Sequence, residues 1–253
     1  MVERQESVMD NTLNLYNFQA DLIGTFRVQP ITITQHFASY PFVPPTTISG
    51  MLESLRKSLQ YTLTKSTYLW MNKKGENQIV KPTQLELEGV YTHFGIFGKN
   101  FNIRKSTRRI MRIGEKKEEM TFGVLPFEGY VGDNITFYVI SEKPCKFLED
   151  IRGAMLFVCD NCLIYINDIS RTICKIEQGE YLPLTPVPIE HVEQRLKSGQ
   201  SAVSAKIYMV PLKYLIDGDV LIGVERKLFV QLEEGLAEGR YIKVNGKGLP
   251  IWW

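Results

Sequence analysis

The sequence has 253 residues, of which 44% are hydrophobic, and a formal net charge of +2, so the chain is long enough to bury a substantial core. It contains no run of roughly 18 uninterrupted apolar residues that would cross a membrane, and its first sixteen residues lack the apolar stretch of a secretory signal. We therefore expect a cytoplasmic protein with no membrane association, built as a single domain over residues 1–253.

The predicted elements begin with a strand over residues 17–28, where apolar and polar residues alternate. A first helix follows, with Thr46 or Thr47 as its N-cap, because apolar residues recur at helical spacing from Ile48 to Leu59. The polar, turn-rich stretch 61–84 is predicted to be a loop.

A second strand is predicted over 85–97 and a third over 134–141, followed by a second helix over 146–158 and strands over 163–178 and 204–212. The order strand, helix, strand, strand, helix, strand indicates an α+β protein with a ferredoxin-like (RRM-like) fold, which RNA-recognition domains also use. The short β-like pieces further on predict additional C-terminal strands over about 200–253.

The charge is distributed unevenly along the chain. Residues 99–117 contain eight of the 30 basic residues and one of the 28 acidic residues, so this segment carries +7 and the remainder carries −5. A compact positive segment on an otherwise acidic protein indicates a site for a polyanion. The basic residues are Lys99, Arg104, Lys105, Arg108, Arg109, Arg112, Lys116 and Lys117.

This basic run lies between a glycine-flanked strand end and the segment GVLPFEG, which predicts a β-hairpin over about 99–128 that protrudes from the sheet. Four-residue spacing aligns Arg104, Arg108 and Arg112 on one face in either a strand or a helix. Arginine suits phosphate because its planar fork makes paired hydrogen bonds. The alternative is a solvated edge hairpin whose charges prevent aggregation.

The segment YPFVPPTTISG places two prolines directly before the first helix. They form a rigid elbow, and the first helical amides and the hydroxyls of Thr46 and Thr47 are then candidates for binding an anion. Gly50 leaves room for a close backbone or a nucleotide. The alternative, which the physics alone favours, is ordinary capping combined with tight packing of the helix on the sheet.

Residues 41–52, PFVPPTTISGML, resemble the YP-x-PPTT-x-x-G-hydrophobic signature of the CRISPR-associated Cas-five family, within the RAMP superfamily. The resemblance is close over about a dozen residues, and the element order and the basic insertion agree in outline. It implies a ferredoxin-like RAMP fold with a protruding β-hairpin thumb that binds the 5′ handle of CRISPR RNA in a type I Cascade antiviral complex. The implied partners are CRISPR RNA, the backbone RAMP subunit, the large subunit and, through the complex, target DNA. The subtype we favour is type I-D or another archaeal-like system.

By this resemblance, Thr46, Thr47 and Gly50 lie beside the RNA, and the run from Arg104 to Arg112 forms the thumb. Unpaired bases are commonly held on aromatic faces, which makes the nearby aromatic residues candidates for stacking. The predicted RNA-binding residues are Tyr40, Phe42, Thr46, Thr47, Gly50, Lys99, Phe101, Arg104, Lys105, Arg108, Arg109 and Arg112.

An alternative function is a metal-independent endoribonuclease, because one branch of the family cuts precursor RNA with a tyrosine, a lysine and a histidine. The candidates here are His36, Tyr40 and Lys99, which requires the sheet to bring two loops to one edge. We favour the non-catalytic interpretation, in which His36 is a surface or base-stacking residue and His93 lies on the polar side of its strand. The sequence contains no P-loop, GxGxxG, HExxH or paired acidic cluster, so we expect neither a cofactor nor a metal.

Four cysteines raise the question of a zinc site. Cys159 and Cys162 form a CxxC, and Cys145 and Cys174 stand alone on either side, whereas structural zinc normally needs a second close pair. We interpret the CxxC as a turn that leads into a strand.

The last two residues, Trp252 and Trp253, bury a large apolar area if they dock. We expect them to dock into their own domain, and an interface with a neighbouring subunit is the alternative. A third functional hypothesis is a protein-interaction module whose basic hairpin binds an acidic partner.

Overall fold

The computed structural model describes residues 12–26, 39–59, 70–71, 77–78, 83–113, 120–158, 162–193, 205–217 and 220–253. The protein is mostly β. Its elements are β1 (Thr12–Gly24), α1 (Pro45–Leu59), β2 (Trp70–Met71), β3 (Asn77–Gln78), β4 (Val90–Phe97), β5 (Asn102–Ile113), β6 (Met120–Val131), β7 (Asn134–Ser141), α2 (Lys146–Asp150), β8 (Met155–Val158), β9 (Cys162–Tyr181), β10 (Val187–Pro188), β11 (Ala205–Asp217), β12 (Val220–Leu232), β13 (Ala237–Val244) and β14 (Lys247–Pro250).

The main sheet has the strand order β14-β13-β9-β1-β7-β4, with β8 paired to β9. Its ladders are antiparallel, and β1 lies at the centre between β7 and β9. In the ladder between β1 and β7, Phe18 is opposite Phe137, and their rings stack with centroids 4.7 Å apart. The predicted order strand, helix, strand, strand, helix, strand is present as β1, α1, β4, β7, α2 and β9.

Several predicted boundaries were wrong, and the strand predicted to end at residue 212 continues to Asp217. The first strand begins at Thr12, not at residue 17. The predicted second helix ends at Asp150, because the chain turns at Gly153, whose φ of 81° lies in the left-handed region, and continues as β8. The second predicted strand begins only at Val90, after a turn at Gly89, whose φ is 68°.

The largest core lies on the face of the main sheet that α1 and α2 cover. Ile48 and Leu52 of α1 and Leu148 of α2 are fully buried in it against alternate residues of β1 and β7. Burial of one such side chain stabilises the fold by about 1.5–3 kcal/mol. The apolar residues that recur at helical spacing over 48–55 are therefore the ones that α1 packs against the main sheet.

The chain beyond residue 236 covers part of the opposite face. Ile242, Leu249 and Ile251 pack against Leu15 of β1 and Ile140 of β7 in a second cluster of buried residues. The additional C-terminal strands predicted from the sequence are present as β11 to β14.

A smaller sheet has the strand order β10-β12-β11. It meets the main sheet through an aromatic cluster formed by Tyr40, Phe42, Phe94, Val210 and Phe229. Neither described helix is long and apolar enough to cross a membrane.

Candidate nucleic-acid interface

The described part of the basic run forms strand β5. β5 and β6 pair antiparallel in an unbroken register from Asn102 opposite Val131 to Ile113 opposite Met120, and this pair is called the hairpin below. Within the part of the chain that the structure describes, their ladder is a separate two-stranded sheet. Lys116 and Lys117 lie outside the described residues.

The register of β5 against β6 gives the positions of three arginines in the strand. Arg104 is opposite Gly129, Arg108 is opposite Leu125, and Arg112 is opposite Thr121. Positions that lie an even number of residues apart in a strand are equivalent in the ladder. Arg104, Arg108 and Arg112, which are four residues apart in the sequence, therefore occupy equivalent positions along β5.

The base of the hairpin is fixed to the edge of the main sheet. Phe26 and Tyr130 exchange two backbone hydrogen bonds, of 2.8 and 2.7 Å, and the Tyr130 ring stacks on Phe97 with centroids 4.7 Å apart. A Cβ at Gly129 would lie 2.3 Å from Cγ2 of Thr25. The close approach at the base therefore needs a glycine.

Two predicted residues lie exposed at this base. The ring of Phe101 is 38% exposed, and it is supported by Phe97 and Tyr130 at centroid distances of 5.8 and 5.6 Å. Lys99 is exposed two residues earlier. Phe101 is thus an aromatic platform that is held by its neighbours and still accessible to a base.

Tyr40 and Phe42 do not support the stacking role predicted for them. They are 4% and 2% exposed, and their rings stack on each other with centroids 5.2 Å apart. The Tyr40 hydroxyl donates a 2.6 Å hydrogen bond to the carbonyl of Met209. These rings belong to the aromatic cluster between the two sheets, and an unpaired base cannot reach them in this arrangement.

The start of α1 offers fewer free amides than the sequence suggested. The helix begins at Pro45, so Thr46 and Thr47 lie inside its first turn and do not precede it as an N-cap. Pro44 and Pro45 have no amide hydrogen, and the amides of Thr47 and Ile48 donate to the carbonyl of Pro44. At most the amide of Thr46 remains in this turn for an anion. Thr46 itself is buried, and Thr47 is partly exposed.

The elbow at Pro44 and Pro45 instead joins α1 to strand β4. Val43 and Gly95 of β4 exchange two backbone hydrogen bonds of 2.9 Å, and the Thr92 hydroxyl donates to the carbonyl of Pro45. A Cβ at Gly50 would lie 3.1 Å from the carbonyl oxygen of Thr83, so the space at Gly50 is used by a close backbone. The alternative of tight helix-to-sheet packing therefore describes this segment.

The elbow and the hairpin base nevertheless lie near each other. Val43 bridges to Gly95, and Phe101 is the sixth residue after Gly95. Because an extended residue spans at most about 3.3–3.6 Å, these two positions lie within about 22 Å.

Two of the three proposed catalytic residues, Tyr40 and Lys99, are among the described residues. His36 lies outside the described residues. Burial raises the pKa of Tyr40 to about 12 and outweighs the charge of Arg226, which acts in the opposite direction. Together with the hydrogen bond to Met209, this makes Tyr40 a poor acid or base near neutral pH. Lys99 is exposed at the hairpin base.

His93 is fully buried, contrary to its predicted place on the polar side of the strand. Its Nδ1 accepts a 2.8 Å hydrogen bond from the amide of Phe94, which leaves Nε2 to donate to the carbonyl of Pro250 at 2.9 Å. Burial lowers the pKa of His93 to about 3, against the smaller opposing effect of Pro250. The histidine is therefore neutral and connects β4 to the end of the chain.

The last two tryptophans dock against their own domain, as expected. Trp252 lies 4.1 Å from the ring of His93, and Trp253 stacks on Tyr91 with centroids 4.6 Å apart and an angle of 8° between the ring planes. They line a cleft of about 640 Å³ beside Pro45 of α1. No sequence pattern predicted this cleft, although the two tryptophans that line it are visible in the sequence.

The described cysteines do not form a metal site. Cys162 is buried at the start of β9, and Cys145 and Cys174 are half-buried. Among the described residues there is no group of three or more histidine, cysteine or acidic side chains that could hold a metal ion. Cys159 lies outside the described residues.

Comparisons with known proteins give distant structural likenesses. Neither a family model nor a curated protein matches the sequence. Similar chains occur in the cryo-EM structure of the Type III-B Cmr-beta bound to cognate target RNA (14% identity, 89% of this chain and 86% of that chain, TM-score 0.41) and in its complex with AMPPnP in state 1 (16%, 88% and 86%, 0.41). Another is a CRISPR protein from Archaeoglobus fulgidus (8%, 93% and 98%, 0.42). At these TM-scores and identities, the likenesses establish neither a shared fold nor a shared function.

Proposed function

We propose that this protein is a non-catalytic, CRISPR RNA-binding subunit that holds the 5′ handle of the RNA in a type I Cascade complex. The observation that carries the proposal is the basic hairpin: strand β5, which contains five of the basic residues of the segment with a charge of +7, pairs with β6, and Tyr130 of β6 is bonded to Phe26 after β1. The resemblance of residues 41–52 to the Cas-five signature supports the choice of RNA.

The proposed fold is the ferredoxin-like RAMP fold. The four central strands lie side by side in the order β9, β1, β7, β4, and all of their ladders are antiparallel. In the βαββαβ sequence these are the fourth, first, third and second strands. β5 and β6 are inserted between the second and third of these strands. In the proposal they act as the thumb.

In this proposal the arginines of β5 neutralise phosphates and Phe101 stacks an unpaired base. Arginine forms charge-assisted, paired hydrogen bonds with phosphate, and each neutralised phosphate releases counterions. Lys99 adds a positive charge beside the ring of Phe101. The proposed partners are the adjacent backbone and large subunits and, through the complex, target DNA, with type I-D as the favoured subtype.

Charge reversal in the hairpin tests the proposal. The triple variant Arg104→Glu, Arg108→Glu, Arg112→Glu is titrated against a labelled RNA containing the CRISPR repeat 5′ handle, with anisotropy as the readout. The matched control reverses three exposed lysines on other strands, Lys175, Lys206 and Lys243, and changes the net charge equally. We expect at least a hundredfold loss of affinity in the hairpin variant, which equals about 2.7 kcal/mol, and a much smaller loss in the control. Equal losses in both variants contradict the proposal.

A further inference from the structure

The cleft beside α1 is lined in part by aromatic and aliphatic side chains. They include Leu85, Leu87 and the stacked pair of Tyr91 and Trp253. Trp252 lies at 85° to Trp253, with ring centroids 5.3 Å apart. Both tryptophans are half-buried, so their docking leaves part of each indole accessible from the cleft.

The lining also carries negative charge. Glu86 and Glu88 are exposed lining residues, and neither forms an ion pair with another residue in the described ranges. Glu142 accepts a 2.9 Å hydrogen bond from the Tyr91 hydroxyl. The pKa of Tyr91 is raised first by this hydrogen bond, then by burial and by the charges of Glu142 and Glu88. The carboxylates of Glu142 and Glu88 therefore both act on Tyr91.

The two lysines of the lining have acidic neighbours. Lys213 of β11 is directly opposite Glu225 of β12 in the ladder, and Lys227 lies 3.5 Å from Glu190. The lining has three glutamates, Glu86, Glu88 and Glu225, against these two lysines, a net charge of −1 that does not favour phosphate. The basic hairpin, where the RNA is proposed to bind, has the opposite charge.

We propose that this cleft binds a segment of a partner protein that inserts an arginine side chain between the terminal tryptophans and the glutamates of residues 86–88. A guanidinium group stacks on indole and also forms paired hydrogen bonds with carboxylates. The apolar part of the segment then packs against Leu85 and Leu87. This inference goes beyond the proposed function and does not require it.

The test uses the 253-residue chain labelled with ¹⁵N. Its three indole resonances are assigned through the single variants Trp252→Phe and Trp253→Phe, and the remaining one belongs to Trp70. The probe is the blocked dipeptide N-acetyl-leucyl-arginine amide. We expect saturable shifts of the Trp252 and Trp253 indoles, and a rise of about fivefold or more in the peptide's Kd in the variant Glu86→Lys, Glu88→Lys. The control variant Glu233→Lys, Glu234→Lys changes two exposed glutamates elsewhere, and we expect it to bind the probe like the unaltered protein.

Three results would overturn the inference. They are a response to the arginine peptide that does not saturate, equal binding of the neutral citrulline analogue, and tighter binding at the same indoles by the dinucleotide ApA or UpU. The third result assigns the cleft to nucleic acid. Binding of the repeat RNA at the hairpin is measured on the same samples, so a failure of the proposed RNA function is distinguished from a failure of the peptide site.

Discussion

Phe26 and Tyr130 exchange two backbone hydrogen bonds, of 2.8 and 2.7 Å, where the basic hairpin leaves the main sheet. This pairing, together with the stack of Tyr130 on Phe97, gives the hairpin a fixed origin. A charged arm that starts from a rigid base presents its phosphate-binding groups at lower entropic cost than a free loop does.

Gly129→Ala is expected to destabilise the protein. The new Cβ would lie 2.3 Å from Cγ2 of Thr25, and relief of such overpacking typically costs about 1–3 kcal/mol. The control is Gly223→Ala in β12, where the nearest atom to the new Cβ is Cδ1 of Leu215 at 3.6 Å. Urea unfolding measures both variants, and a Gly129→Ala variant as stable as the control contradicts the close approach.

Phe101→Ala is expected to weaken RNA binding with little effect on folding. Its ring is 38% exposed, and the loss of one base stack costs about 1–3 kcal/mol, or roughly five- to 150-fold in affinity. Phe101→Trp should retain binding because it keeps an aromatic face. Ile173→Ala, at an exposed apolar position on β9, serves as the control. Full affinity of Phe101→Ala for handle RNA rules out stacking at this ring.

Tyr40→Phe separates the structural role of Tyr40 from the catalytic alternative. The change removes the hydrogen bond to the carbonyl of Met209, and the loss of one such bond is expected to reduce stability by about 0.5–1.5 kcal/mol. RNA binding should be unchanged. Incubation of the unaltered protein with repeat RNA in the presence of a chelator should leave the RNA intact. Site-specific cleavage that disappears in Tyr40→Phe would instead support the endoribonuclease.

Stability is expected to fall as the pH is lowered from about 6.5 towards 3. In the folded protein the pKa of His93 is lowered to about 3 by burial, whereas an unfolded histidine titrates near 6.5. Between these values the unfolded chain binds the additional proton, so acid favours unfolding. From pH 7.5 to pH 5 the loss is about 2 kcal/mol from this residue. His93→Gln should show a correspondingly smaller difference in urea unfolding between these two pH values, and an undiminished difference argues against a neutral buried His93.

The element order and the hairpin were predictable because they rest on patterns local to the chain. The alternation in β1, the helical spacing in α1 and the run of charge in β5 each report on their own segment. The roles of Tyr40, Phe42 and Gly50 were not predictable, since they depend on segments distant in sequence. The Tyr40 hydroxyl donates a hydrogen bond to the carbonyl of Met209, and the carbonyl oxygen of Thr83 lies close to Gly50. Which of the first helical amides form hydrogen bonds within the helix depends on the exact residue at which α1 begins. Sequence patterns place that residue only to within a few positions.

His93 and the terminal tryptophans show the same limit. A histidine between Thr92 and Phe94 gives no sign that its two nitrogens will bond Phe94 and Pro250 in a closed site. The self-docking of Trp252 was expected from its apolar area alone. The cleft it helps to form depends on β11, β12 and the segment before β4, which come together only through the fold.

The salt dependence of RNA binding measures the phosphate contacts of the hairpin most directly. The slope of log K against log salt concentration is to be determined for the unaltered protein and for the variant Arg104→Gln, Arg108→Gln, Arg112→Gln, using a single-stranded handle RNA. Each lost phosphate contact reduces the slope by about 0.7 for a single strand, so loss of three contacts should make the slope shallower by about 2. An unchanged slope in this variant, with unchanged affinity, would contradict the claim that the hairpin arginines bind the RNA backbone.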